Sequence, residues 1–162
     1  MNYFSSNFKL GILGGGQLGK MMLFDTRKFD IQTYILDPSN KAPCKIACNK
    51  FFQGNLMDFD TVYNFGKQVD VLTFEIELVN LDALEKLESE GIKVFPSPKT
   101  LRLIQNKGIQ KDFYSNNTIP TAAYKSFSKN NVEEGYKFLE TLNPPYVLKA
   151  DGLAAGKGVL IL

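Results

Sequence analysis

Two small-residue loops in this chain could hold anions. The first runs from Gly14 to Gly19, where Gly14, Gly16 and Gly19 fit a G-x-G-x-x-G spacing. It lies between a short apolar run, Leu10 to Leu13, and an amphipathic segment. Strand, tight turn and helix in that order bring backbone N–H groups to a phosphate at a helix N-terminus. The second loop, Asp151 to Gly158, reads DGLAAGKG, with Lys149 just before it and Lys157 inside it. Small residues there let the backbone fold over anionic oxygens, and the two lysines add point charges. Its spacing is not that of a Walker loop, and an apolar run of strand type follows it, so a glycine-rich hairpin closing over a nucleotide triphosphate fits better. A glycine-rich surface turn is the plainer alternative.

Acids accompany the first loop. Asp37 lies 18 residues beyond Gly19, where a dinucleotide fold keeps its ribose-binding acid. An aspartate before Pro38 is equally a turn-former. Glu75 and Glu77 follow the apolar run Val71 to Phe74, as ligand-binding groups or as a solvated pair. The first loop and Asp37 alone suggest a nicotinamide-cofactor module. That reading gives the second loop nothing to do. Two glycine loops on two bodies imply two anionic ligands meeting.

Composition removes several chemistries. The chain has no histidine among its 162 residues, so it offers no imidazole base, Ser-His-Asp triad or histidine-ligated metal. Cys44 and Cys48 have no second pair to complete a metal site and read as free thiols in a short helical turn. A net charge of +2 with both signs interspersed gives no reason to expect nucleic acid. The start, MNYFSSNFKL, lacks the basic and apolar regions of a signal peptide, and no apolar run reaches membrane-helix length. The expectation is a cytoplasmic protein without a membrane partner.

Alternating elements must position the loops. Strands are expected at about Lys9–Leu13, Ile31–Leu36, Lys50–Gln53, Val71–Phe74 and Ile92–Phe95. Helices lie between them at about Gln17–Lys28, from an Asp58 cap to Gln68, and from an Asn80 cap to a Gly91 stop. Leu18, Met21 and Met22 are assigned to the inner face of the first helix. This alternation predicts an α/β fold, a Rossmann-like parallel sheet with helices on both faces. Pro96 to Pro98 marks a boundary, giving a substrate-binding domain over 1–98 and a helical connector over 99–117, interrupted near Gly108. In the unit over 118–162, Ala122–Phe127 is expected as a strand and Val132–Leu142 as a helix with Tyr136 and Leu139 inward. A hairpin, Tyr146–Lys149 with Val159–Leu162, closes it. An isolated hairpin is marginal in water, so this unit reads as incomplete.

GILGGGQLGKMM at 11–22, LDP at 36–38, VLTFEIELV at 71–79 and PSPKTLRLIQNKGIQKDF at 96–113 together resemble the ATP-grasp ligases of purine biosynthesis. Residues 1–118 are similar to the N5-carboxyaminoimidazole ribonucleotide synthetase branch, also described as the phosphoribosylaminoimidazole carboxylase ATPase subunit. The tail, IPTAAYKSF at 119–127 and PPYVLKADGLAAGKGVLIL at 144–162, is closer to glycinamide ribonucleotide synthetases, with the changeover near 115–125. The resemblance implies a pre-ATP-grasp domain followed by the beginning of an ATP-grasp domain. It implies that Gly14, Gly15, Gly16, Gln17, Leu18 and Gly19 cover the phosphoribosyl end of aminoimidazole ribonucleotide, and that Glu75, rather than Glu77, meets its ribose or amine. Lys107 would reach ATP, although by composition it reads as a solvated helix charge. Lys149 would meet the α- and β-phosphates, beneath a lid of Asp151, Gly152, Gly156, Lys157 and Gly158. The implied reaction joins bicarbonate to the ribonucleotide amine with ATP and Mg²⁺, by positioning and charge neutralisation. No catalytic residue and no Mg²⁺ ligand is assigned within the chain, so residues 1–162 alone are expected to be inactive. A homodimer, a glycinamide ribonucleotide synthetase-type ligase and a non-catalytic binding fragment are the remaining expectations.

Overall fold

The computed structural model describes residues 5–152, 154 and 157–162. The chain divides within its fourth helix into two compact units, one ending at Arg102 and one spanning Leu103–Leu162.

The first unit is built on a five-stranded parallel sheet. Its strands are β1 (Lys9–Leu13), β2 (Gln32–Asp37), β3 (Lys50–Gln53), β4 (Val71–Phe74) and β5 (Lys93–Phe95), in the spatial order β3-β2-β1-β4-β5. Helices α1 (Gln17–Thr26), α2 (Phe59–Gly66) and α3 (Leu81–Ser89) connect them. Successive side chains on β1 and β2 enter different cores, because side chains alternate across a strand. Ile12 and Ile35 pack with Leu23 of α1 and with Cys44. Leu13 and Leu36 join Val62 and Phe65 of α2 and Leu84 and Leu87 of α3. Both faces are covered, which is why the strands read as apolar runs without clean alternation.

The caps expected from sequence are in place. Asp58 Oδ2 accepts from the Thr61 N–H at 2.8 Å, Asn80 Oδ1 from the Ala83 N–H at 2.9 Å, and Gly91 takes φ +91° after α3. Asn80 also donates through Nδ2 to the Met57 carbonyl at 2.9 Å. Asn80→Ala should therefore cost about 1–2 kcal/mol of unfolding free energy, read from a urea transition. No loss would refute the capping role.

Two expectations about helix faces hold only in part: Met22 and Leu139 are half-buried as assigned, and the other residues of those faces are not. α1 buries Gly19, Leu23 and Thr26, while Leu18 and Met21 are more than half exposed. Gly19 has no side chain, so the backbone at that position approaches the glycine loop and turns Leu18 and Met21 outward. In α6 (Val132–Leu139) the buried residue is Gly135. A Cβ there would lie 2.9 Å from the Phe127 ring, and Tyr136 faces solvent.

The connector forms two helices, α4 (Pro98–Gln105) and α5 (Lys107–Asn116), broken at Asn106, whose Oδ1 caps α5 through the Ile109 N–H at 2.9 Å. The expected strand over Ala122–Phe127 is absent. Among the described residues no strand pairs with this segment, and side chains of α5 hold it instead. Lys111 Nζ donates to Thr121 Oγ1 and to the Ala122 carbonyl, and Tyr124 OH donates to Asp112 Oδ1 at 2.6 Å. β6 (Val147–Lys149) and β7 (Val159–Ile161) form the antiparallel hairpin, with Lys149 opposite Val159.

Candidate functional site

In the first unit the site lies where the strand order reverses. β1 has β2 on one side and β4 on the other, with Leu13 paired to both Leu36 and Phe74. The residues leaving these three strands therefore emerge side by side, in the crevice where open α/β sheets bind ligands. They are Gly14, Asp37 and Glu75. The Glu75 N–H donates to the Leu13 carbonyl at 3.0 Å, and the Gly14 N–H to the Leu36 carbonyl at 2.9 Å.

The two carboxylates close onto the glycine loop. Glu75 Oε1 accepts the Gly16 N–H at 2.9 Å, and Asp37 Oδ2 accepts the Gly15 N–H at 2.7 Å. Asp37 Oδ1 takes the Ser39 N–H at 2.7 Å, so this aspartate also forms the turn that its place before Pro38 suggests. α1 has Gly16 at its N-cap, with no side-chain cap of its own and no acid in its first turn. Glu75, 59 residues away in sequence, supplies the negative charge that a helix N-terminus favours.

The glycines are needed for this closure. Gly14 has φ +97°, and a Cβ on it would lie 2.7 Å from Glu75 Cγ and Oε1. A Cβ on Gly16 would lie 2.8 Å from Glu75 Oε1, and one on Gly19 would lie 2.9 Å from the Gly14 carbonyl. The amides of Gln17, Leu18 and Gly19, as the first three of α1, have no partner within the helix. Amide donors thus stand beside the half-buried carboxylate of Glu75. Glu77 is exposed.

Cys44 supports the loop from behind. It is fully buried, its N–H donates to the Gly15 carbonyl at 3.0 Å, and its Sγ lies 3.7 Å from the Gly16 carbonyl. Burial, reinforced by Cys48, Glu75 and Asp37 and opposed by Lys20, pushes its thiol up to about 11. The thiol stays neutral in the fold, whereas an ordinary one ionises near 9.0. Its stabilising contribution is complete below about pH 9 and is lost as the pH rises toward 11. Stability should fall across that window, and less steeply in Cys44→Ala, when denaturation midpoints are compared at pH 8 and 10.5. Identical slopes in the two proteins would exclude this linkage. Cys48 is shifted in the same direction by burial. Among the described residues no group of three or more His, Cys, Asp or Glu is placed to hold a metal ion.

In the second unit, the hairpin ends carry the other candidate residues. The Ala150 N–H donates to the Gly158 carbonyl at 2.8 Å, and the Lys157 N–H to the Ala154 carbonyl at 2.8 Å. Lys149 and Lys157 are exposed, as are Asp151 and Gly152. Gly156 lies outside the described residues. Lys107, at the start of α5, is half-buried; its Nζ donates to the Ile104 carbonyl at 3.1 Å, and its N–H to the Asp151 carbonyl at 2.8 Å. The structure thus brings Lys107 to the root of the 151–158 loop. The resemblance assigned both to one ATP, but no local signal joins residues 44 apart, and the contact between them appears only in the structure.

Residues 8–105 match the ribonucleotide synthetase preATP-grasp domain family. The chain belongs to that family. Its preATP-grasp domain is followed, over residues 105–162, by a match to the phosphoribosylglycinamide synthetase ATP-grasp (A) domain. The phosphoribosylaminoimidazole carboxylase of Candida albicans is 34% identical over 158 residues, covering 94% of this chain and 28% of that protein. Its alignment runs through residues 115–125, where a changeover is expected from the sequence. N5-carboxyaminoimidazole ribonucleotide synthetase from Thermotoga maritima superposes with a TM-score of 0.84 at 34% identity, over 95% of this chain and 40% of that one. The Aspergillus clavatus synthase, solved with ADP and 5-aminoimidazole ribonucleotide, gives a TM-score of 0.84 at 34% identity, over 97% and 41%. The preATP-grasp chain therefore spans between about a quarter and two fifths of the length of these relatives. Among the described residues no helix is long and apolar enough to cross a membrane.

Proposed function

We propose that this chain is the N-terminal portion of an ATP-dependent ligase of de novo purine biosynthesis, one that carboxylates 5-aminoimidazole ribonucleotide with bicarbonate. One observation carries the reading. Glu75 is held at the β1/β4 switch point, against a glycine loop that opens a helix. Amide donors for a phosphoribosyl oxygen and a carboxylate for a ribose hydroxyl or ring amine stand together there. The likeness to an enzyme solved with that ribonucleotide and ADP supports the assignment.

In this reading Gly14 to Gly19 and Glu75 orient the ribonucleotide. Lys107, Lys149 and the loop Asp151 to Gly158, with Gly152, Gly156 and Lys157, hold ATP. A bicarbonate oxygen takes the γ-phosphoryl group and ADP leaves. The ribonucleotide amine then attacks the acyl carbon and expels phosphate. Lysine ammonium groups and backbone N–H groups neutralise the charge that develops on the phosphates. Magnesium would add to that neutralisation. The described residues offer it no ligand cluster, and we assign its ligands to the length of the relatives beyond the match. The proposed enzyme is cytoplasmic and homodimeric.

The test is ADP release by the full protein, of which residues 1–162 are the proposed N-terminal portion, with aminoimidazole ribonucleotide and bicarbonate. Stimulation by both is expected. The match of the tail to the glycinamide-type domain favours one second reading, in which phosphoribosylamine and glycine stimulate ADP release instead. Saturable NADH binding without either stimulation would overturn both.

A further inference from the structure

Lys107 opens α5, a ten-residue helix, and an amide in that position has no acceptor inside its own helix. Here the acceptor is the Asp151 carbonyl at 2.8 Å, at the residue where the glycine-rich loop leaves β6. The space beside this contact is narrow. Gly108 is buried, and a Cβ on it would lie 3.0 Å from Ser126 Oγ and 3.3 Å from Asp151 Oδ2. The root of the loop is thus fixed on the first turn of α5. Beyond it, the loop is closed on itself by the Ala150–Gly158 and Lys157–Ala154 bonds.

We infer that the first turn of α5 is a positioning element for the loop: the Lys107 amide and the bare Cα of Gly108 set where Asp151 sits, and so set the loop in register with the Lys107 side chain over one nucleotide triphosphate. This rests on the reading of the loop as the ATP site. The backbone contact, not the lysine charge alone, fixes the separation between the two nucleotide-binding groups. A loop free to pivot at Asp151 would lose orientation, and with it the advantage of a pre-set site.

A proline scan separates amide from side chain. Proline suits the first helical position because its missing N–H has no helical acceptor there. The preceding residue, Asn106, already has φ −125° and ψ 117°, which a following proline requires. Lys107→Ala removes the ammonium and keeps the N–H. Lys107→Pro removes both. In the full protein, Lys107→Pro should bind a fluorescent ATP analogue roughly three- to tenfold more weakly than Lys107→Ala. The KM for ribonucleotide should be the same in both. Amide hydrogen exchange at Ala150 and Lys157, without any ligand, should be faster in the proline variant.

Gly108→Ala provides the second arm. It improves the helix propensity of α5 while pressing on Asp151 and Ser126, so it should weaken ATP binding without lowering the melting temperature. Equal nucleotide affinity and equal exchange in Lys107→Ala and Lys107→Pro would overturn the inference, as would unchanged ATP affinity in Gly108→Ala. Absence of nucleotide binding in the unaltered protein would overturn the ATP reading, and the exchange rates would then decide the loop contact by themselves.

Discussion

Gly14→Ala destabilises the first unit more than any other single methyl addition in the glycine loop. At φ +97° a Cβ costs about 1–3 kcal/mol through the backbone alone. The new methyl would also stand 2.7 Å from Glu75 Cγ and Oε1, so the carboxylate must leave the Gly16 N–H. Gly91 separates the two effects, because it has φ +91° with nothing within 4 Å of its absent Cβ. Gly91→Ala should show the conformational cost only. The excess in Gly14→Ala, read from urea midpoints, is the steric part, and Glu75→Ala in the same chain should relieve it. Equal losses at the two glycines would show that Glu75 yields freely.

Glu75→Ala has the largest expected effect on binding. It removes the carboxylate that faces the crevice and exposes the Gly16 N–H, which Glu75 Oε1 accepts at 2.9 Å. Hydrogen bonds to a charged group contribute about 1.5–3 kcal/mol. Ribonucleotide affinity should therefore fall roughly 10- to 100-fold, with ATP affinity retained. Glu75→Gln keeps the shape and can still accept one bond, so it should lie between the two. Titration of the full protein with aminoimidazole ribonucleotide would decide it. Undiminished affinity in Glu75→Ala would remove Glu75 from the site. Asp37→Asn should change stability more than binding, since both of its oxygens already hold backbone N–H groups.

Much of the architecture was legible in the chain because its signals are local. The strands at Lys9–Leu13, Lys50–Gln53 and Val71–Phe74 are short apolar runs bounded by turn residues. The caps Asp58 and Asn80 and the stop at Gly91 act within one helical turn. The failures were of a different kind. The outward turn of Leu18 and Met21 and the inward face at Gly135 depend on what packs against a glycine. In one case that is the Gly14 carbonyl and Cys44 Sγ, and in the other the Phe127 ring. Helical periodicity does not carry that. The missing strand at Ala122–Phe127 had the right residues but no neighbour to pair with. A strand is a property of two segments.

The site divides the same way. Sequence by itself determined that glycines stand between a strand and a helix, that an acid ends the fourth strand, and that the chain carries no imidazole. Residue types and spacing alone left the roles of Asp37 and Glu75 open, and only the resemblance favoured Glu75. Tertiary structure decided that Asp37 and Glu75 both close on the glycine loop, because parallel strands β2, β1 and β4 end side by side. It also decided that Lys107 meets Asp151. The physical reason is range. A residue's capacity for hydrogen bonding and its local backbone preference travel with its identity, whereas which donor it meets is fixed by sheet order and packing.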